Sequence, residues 1–107
     1  MAYKYSIGGR KFDDITAETD VQGNTKIDFE EDYIGLVTSG SSTLVASGSM
    51  VGIGTTTPTE VLTLNATDPT ILFEENGTGK ATIGVNSSDN ILIENKTINK
   101  HIVFKVN

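Results

Sequence analysis

The sequence has no cysteine and no tryptophan, and no apolar run approaches the roughly 20 residues that carry a helix across a bilayer. Each absence closes a class of explanation. Without cysteine there are no disulfides, thiolate metal centres or thiol nucleophiles, and the redox compartment is left open. Basic residues are also in deficit: eight Lys and Arg stand against 14 Asp and Glu, a formal net charge of −6. Nucleic-acid binders draw affinity from Lys and Arg that displace phosphate counterions, and only Lys4, Arg10 and Lys11 sit close together here, which excludes DNA and RNA as partners. The opening MAYKYSIGGRKF lacks the apolar stretch of a Sec-type signal, and no membrane insertion is expected.

What is present points to strands. At 107 residues the chain has the length of one ordinary domain. Large aliphatic residues and Phe fill 29 positions, above the roughly 20% below which disorder is the better expectation, so the core should be ordered but thin. Val, Ile and Thr together fill 34 positions while Ala is scarce, a bias that favours pleated strands over helices. Helical periodicity is weak everywhere. Its best instance, FDDITAETD at 12–20, reads as coil or a single turn before the VQGN turn.

From there the pattern has period 2. TKIDF sets Ile27 and Phe29 against Lys26, Asp28 and Glu30, and DYIGLVT sets Ile34, Leu36 and Thr38 against Tyr33, Gly35 and Val37. STLVAS, MVGI, EVLTLN, TILFEE, KATIGVN, NILIEN and HIVFKVN follow as further strand candidates. The pairs Ile71/Phe73, Ile83/Val85, Ile91/Ile93 and Ile102/Phe104 recur at the roughly 8- to 12-residue spacing of a meander or stacked hairpins. Between them lie ENGTGK, NSSDN and NKTINK. Of these turns ENGT is the strongest hairpin signal, because Asn-Gly accepts the positive φ that a type I′ turn needs at both central positions.

Strands this short, with no helix to cover them, leave a burial problem. Each offers two or three apolar side chains on one face, and open sheet edges carry unpaired backbone groups. Covering faces and edges with further copies of the same chain is the simplest remedy, so a homo-oligomer is expected.

Gly52 and Gly54 in VGIGTTTPTEVLTL raise the question of a phosphate-binding loop. A P-loop requires a Lys after its last glycine and a helix N-terminus facing the phosphates; here Thr55, Thr56, Thr57 and Pro58 follow instead. A dinucleotide fingerprint needs a third glycine and a helix. Turn chemistry accounts better for the stretch: glycine permits a bulge or sharp crossing, Pro58 fixes φ, and TEVLTLN restarts a strand.

The same residues carry a resemblance. From SGSMVGIGTTTP through DPTILFEENGTGK to NKTINKHIVFKVN, roughly residues 40–107, the sequence resembles a shaft module of bacteriophage tail-fibre and related virion fibre proteins. IDFEEDYIGLVTSGSSTLVASG resembles the end of a preceding repeat. GIGTTTP alone is moderately specific; joined at this spacing to NKTINKHIVFKVN it becomes more so. Such fibres generally continue past FKVN with further modules. The resemblance implies an all-β, elongated, intertwined homotrimer of short antiparallel strands and hairpins, located in the virion, contributing to host attachment and partnered by other virion proteins and by a host surface glycan or receptor. It divides the chain into an N-terminal segment at 1–24, a partial β repeat at 25–50 and a shaft module at 51–107. Ile27, Phe29, Leu62, Leu64, Ile71, Phe73, Ile83, Val85, Ile91, Ile93, Ile102 and Phe104 are then expected in the trimer core or its inter-chain seams. Tyr3, Tyr5, Arg10 and Phe12, in the segment outside the resemblance, are the candidates for docking onto the virion.

Other constellations are weaker. His101 is the sole histidine, sits at the start of an expected strand and has no motif partner for a triad or metal site. The acidic runs Asp13/Asp14, Glu30/Glu31/Asp32 and Glu74/Glu75 read as solubilising turn residues, since neighbours on a strand point to opposite faces and cannot form a glycosidase pair. Asp28, Glu30 and Asp32 alternate as calcium ligands would, without the glycine and terminal Glu of an EF-hand loop. Asn65, Asn76, Asn86 and Asn95 each begin a glycosylation sequon, which in so Asn- and Thr-rich a chain reads as turn composition. Tyr3, Tyr5 and Tyr33 suit either sugar stacking or strand-end packing. No catalytic residue, cofactor or metal ligand is assigned. The competing reading is a monomeric carbohydrate-binding β-sandwich, with a glycan-cleaving enzyme third.

Overall fold

The computed structural model describes residues 14–107, which contain nine β-strands and no helix. Tyr3, Tyr5, Arg10 and Phe12 lie outside the described residues. The chain divides into two compact units between Asn65 and Ala66.

The first unit is one six-stranded sheet in sequential order: β1 (Ile15–Thr16), β2 (Lys26–Glu30), β3 (Tyr33–Thr38), β4 (Ser41–Ser47), β5 (Met50–Ile53) and β6 (Leu62–Leu64). Two-residue turns join its hairpins, and a β-bulge at Leu36/Val37 shifts the β3–β4 register by one residue so that Leu36 faces Leu44. Ser39 and Gly40 both take positive φ, 51° and 76°, the signature of a type I′ turn closing Thr38 onto Ser41. At the next hairpin only Gly48 does, at 56°, as a type II′ turn requires of its first central residue. All pairings are antiparallel except the last, since β5 and β6 run parallel.

That register sorts side chains sharply by face. One row runs Ile15, Ile27, Leu36, Leu44, Ile53, Leu64 across all six strands. A second runs Phe29, Ile34, Ala46, Val51, Leu62 across five. Every member of both rows is apolar. The opposite face carries Lys26, Asp28 and Glu30, and the row Asp28, Gly35, Val45, Gly52, Thr63.

Val45 is fully buried on that polar face, and its two glycine neighbours explain how. A Cβ on Gly35 would lie 2.8 Å from Tyr33 Oη, so the tyrosine ring lies along the sheet over Gly35, with Oη 3.3 Å from Ser42 Oγ. A Cβ on Gly52 would lie 2.7 Å from the Thr55 carbonyl and 3.5 Å from Pro58 Cβ, because the 54–61 connection crosses the same face to start β6. Eight residues are few for a parallel crossover, and the tight path depends on glycine beneath it. Threonines hold the crossing: Thr63 Oγ1 accepts from the Thr59 and Glu60 amides, each at 3.1 Å, and Thr55 Oγ1 accepts from the Thr57 amide at 3.1 Å.

The second unit is a meander of β7 (Thr70–Glu75), β8 (Thr78–Val85) and β9 (Ile91–Asn95). Asn76 and Gly77 both take positive φ, 52° and 74°, so the expected type I′ hairpin joins β7 to β8. Ile71, Ile83 and Ile93 form a row on one face, with Phe73 beside Ala81 and Val85 beside Ile91. The other face carries Leu72, Thr82 and Glu94; there Thr82 is buried and donates to Glu94 Oε2 at 3.1 Å.

Four local expectations change. Ile15–Thr16, read as coil or a turn, pairs as a short edge strand because Ile15 falls in register with Ile27. The boundary drawn at 50/51 falls inside β5, whose pairing with β4 ties those residues to the preceding hairpins. The pattern predicts antiparallel strands, and LTL instead pairs in parallel with β5, reached through the sharp crossing that the glycines permit. HIVFKVN forms no strand: residues 101–107, His101 included, are exposed and pair with no strand among the described residues.

Candidate functional site

The functional surface this chain offers is apolar. Among the described residues only Val37 and Val45 are buried hydrophobics, whereas twenty large apolar side chains stand exposed. Scattered exposed apolar residues are ordinary, but contiguous ones mark association surfaces. In the first unit the exposed members are contiguous: Phe29, Ile34, Leu36, Leu44, Ile53 and Leu62 are 36–54% exposed and all lie in the two apolar rows. In the second unit Ile71, Phe73, Ile83 and Ile93 lie on one face and Ile91 beside them is 83% exposed. An open hollow of about 400 Å³ at the β1 end of the first sheet is lined in part by Ile15, Ile27 and Leu36.

Charge is kept to the other faces. Lys26 pairs with Asp14 and lies 3.7 Å from Asp28, all on the polar side of the first sheet. Hydrogen bonding to Lys26, more than its charge, holds the Asp14 carboxyl below its ordinary value, and the same bond raises Lys26. Lys96, 3.0 Å from Glu94, and then the Thr82 hydroxyl hold the Glu94 carboxyl below the usual range. The Lys96–Glu94 pair is exposed and the Lys26–Asp28 pair half-buried, and both orient side chains without building a pocket.

Of the residues expected in the seams, Ile27, Phe29, Leu62 and Leu64 share the first apolar face, and Ile71, Phe73, Ile83, Val85, Ile91 and Ile93 share the second. Ile102 and Phe104 sit on the unpaired 101–107 segment. The first face also includes Ile15, Ile34, Leu36, Leu44, Val51 and Ile53, which sequence reading left out of the set. Part of their signal was present in the turns: the two-residue loop at 31–32 carries the face of Ile27 to Leu36 and that at 48–49 carries Leu44 to Ile53, whereas the loop at 39–40 alone would set Thr43 opposite Leu36, and a β-bulge at Leu36/Val37 brings Leu44 onto this face instead.

The remaining candidates have local structural roles. The sequon asparagines have local roles: Asn65 Nδ2 ties the end of β6 to the Gly54 carbonyl at 3.0 Å, and Asn76 takes positive φ in a turn. Asn86 Oδ1 accepts from the Ser88 and Asn90 amides, and Asn95 Oδ1 accepts from the Thr97 amide. Tyr33 packs over Gly35 at a strand start. Gly54 leads into β6, with no helix N-terminus behind it. Glu30, Glu31, Asp32, Glu74 and Glu75 are exposed beside hairpin turns, and among the described residues no three His, Asp or Glu side chains converge on a point.

Comparison with known protein families, characterised proteins and solved structures returned no match.

Proposed function

We propose that this chain is a non-enzymatic structural segment of a phage virion fibre, a tail fibre or related appendage, that works as a homotrimer and contributes to host attachment. The observation that carries the reading is the first sheet: two uninterrupted apolar rows, half-exposed, back onto a face with its own small covered core at Val45. A sheet that completes one face internally and leaves the other wholly apolar is built to be covered. Covering it with sister chains about a rotation axis closes faces and edges together, which a shaft requires along its length. The trimer number, the virion and the host role rest on the resemblance of GIGTTTP and NKTINKHIVFKVN to fibre shaft modules.

Sedimentation velocity or light scattering of the chain tests this directly. A mass three times that of the chain, held at micromolar concentration, is expected. A folded monomer at that concentration overturns the reading, and selective binding of such a monomer on a glycan array would replace it with a carbohydrate-binding module.

A further inference from the structure

Residues 101–107 have a strand's sequence and, among the described residues, no strand's partner. Ile102, Phe104 and Val106 alternate with His101, Val103 and Lys105, yet Phe104 is 84% and Val106 95% exposed. Among the described residues the sheet ends at β9, which pairs with β8 alone. The amide of Lys96 bonds the Lys80 carbonyl and that of Asn86 the Asn90 carbonyl, so the bonded pairs are the even-numbered residues of β9. The backbone groups of Ile91, Ile93 and Asn95 therefore point outward along an open edge.

With the 96–100 turn as it stands, the chain does not seat this segment on its own edge with its faces sorted. Asn95 Nδ2 donates to the His101 carbonyl at 2.9 Å, bringing the two residues together across the 96–100 turn. A hairpin continued from His101 opposite Asn95 would set Lys105 beside Ile91, on the apolar face, and Ile102 beside Glu94, on the polar one. A shift of one residue reverses this, and a strand arriving from another chain takes the shifted register without remaking the 96–100 turn that holds His101 at Asn95.

We infer that residues 101–107 are a donated strand, received by the open edge of β9 in a second copy of this chain. The pairing is antiparallel, like every other in this sheet, with Phe104 opposite Ile93 and Val106 opposite Ile91. The apolar face then runs unbroken from Ile71 through Ile83 and Ile93 to Phe104. Lys105 falls diagonal to Glu94 on the polar face, within reach for a cross-strand pair. Charge also favours this occupant: residues 96–107 contain three lysines and no acidic residue, in a chain of net charge −6. The inference rests on the homo-oligomeric reading above and adds which segment is exchanged, and where.

The absence of native cysteine makes the test clean. In the full chain carrying I93C and F104C together, the Cα separation of a bonded antiparallel pair, about 5.5 Å, suits a disulfide. Mild oxidation should give covalent dimers and trimers on a non-reducing denaturing gel, and neither single variant should give the trimer. Because the substitutions remove two apolar side chains, amide exchange of the unaltered protein is measured in parallel, with the Phe104 amide slowed at least about 100-fold relative to free peptide. An oligomer of unchanged mass whose 101–107 amides exchange freely, or a disulfide confined to single chains, overturns the donated strand and leaves the fibre reading standing. A monomeric mass for the unaltered chain overturns both.

Discussion

Gly54 and Gly40 have the same positive φ, 76°, and very different surroundings. Around Gly40 a methyl group would meet nothing within 4 Å, so Gly40→Ala carries only the left-handed backbone cost of about 1–2 kcal/mol. At Gly54 a Cβ would lie 2.1 Å from the Asn65 carbonyl, the residue whose amide and side chain bond the Ile53 and Gly54 carbonyls. Gly54→Ala must therefore also displace the end of β6, and a loss of about 3 kcal/mol or more is expected. Urea midpoints of the two variants decide it; equal losses would mean the crossing does not hold β6. Glu94 gives the second prediction at this scale. Its carboxyl is held below the ordinary value, so the unfolded chain binds its proton more tightly than the native one. Its contribution is therefore present above the ordinary glutamate value and fades as pH falls through the depressed native one. Stability curves for the unaltered protein and Glu94→Gln should converge on acidification through that window; parallel curves would show the Lys96 and Thr82 contacts to be idle in solution.

At the scale of elements, most of the sheet is legible because local rules decide it. TKIDF and DYIGLVT alternate cleanly, and Ser39-Gly40, Gly48-Ser49 and Asn76-Gly77 are turn pairs whose φ preference fixes loop length; the register follows from the turn at 48–49, while β-bulges at Leu36/Val37 and Phe73/Glu74 shift it by one residue at the other two. What was not legible is non-local. The parallel pairing of Leu62–Leu64 with Val51–Ile53 depends on a loop crossing over Gly52, and Ile15 becomes strand only because Ile27 is already placed. HIVFKVN has strand alternation, but alternation cannot say which chain supplies the partner. Half the apolar face was missed for a related reason: STLVAS holds Leu44 and Val45 side by side, and only the register tells that Val45 turns inward and Leu44 outward. Leu36→Lys tests that assignment, since it places an ammonium in the middle of the first apolar row. An unpaired charge desolvated in an inter-chain seam costs at least about 3 kcal/mol, which is more than 100-fold in association constant. The variant should sediment as a monomer and keep its β-type circular dichroism, whereas Asp28→Ser on the polar face should leave the mass unchanged. Dissociation by Asp28→Ser and not by Leu36→Lys would put the seam on the wrong face.

For the whole molecule the decisive quantity is the conflict between its apolar faces and its charge. Each copy carries −6, so the proposed trimer would accumulate like charge around its seams, and the lysines of 96–107 offset only part of it. Like charges across partly exposed distances of a Debye length or more, about 10 Å at 0.1 M salt, are readily screened. Burial of the apolar rows is not weakened by salt, and excluded anions such as sulfate strengthen it. Raising sodium chloride from about 0.02 M to 0.3 M should therefore tighten association several-fold, and sulfate at equal ionic strength should tighten it further. An assembly held mainly by inter-chain ion pairs would respond in the opposite direction, because the same screening would remove its attraction. Sedimentation equilibrium across a salt series separates the two, and a dissociation constant that rises with salt would mean that Lys26, Lys80 and their acidic partners, not the leucines and isoleucines opposite them, join the copies.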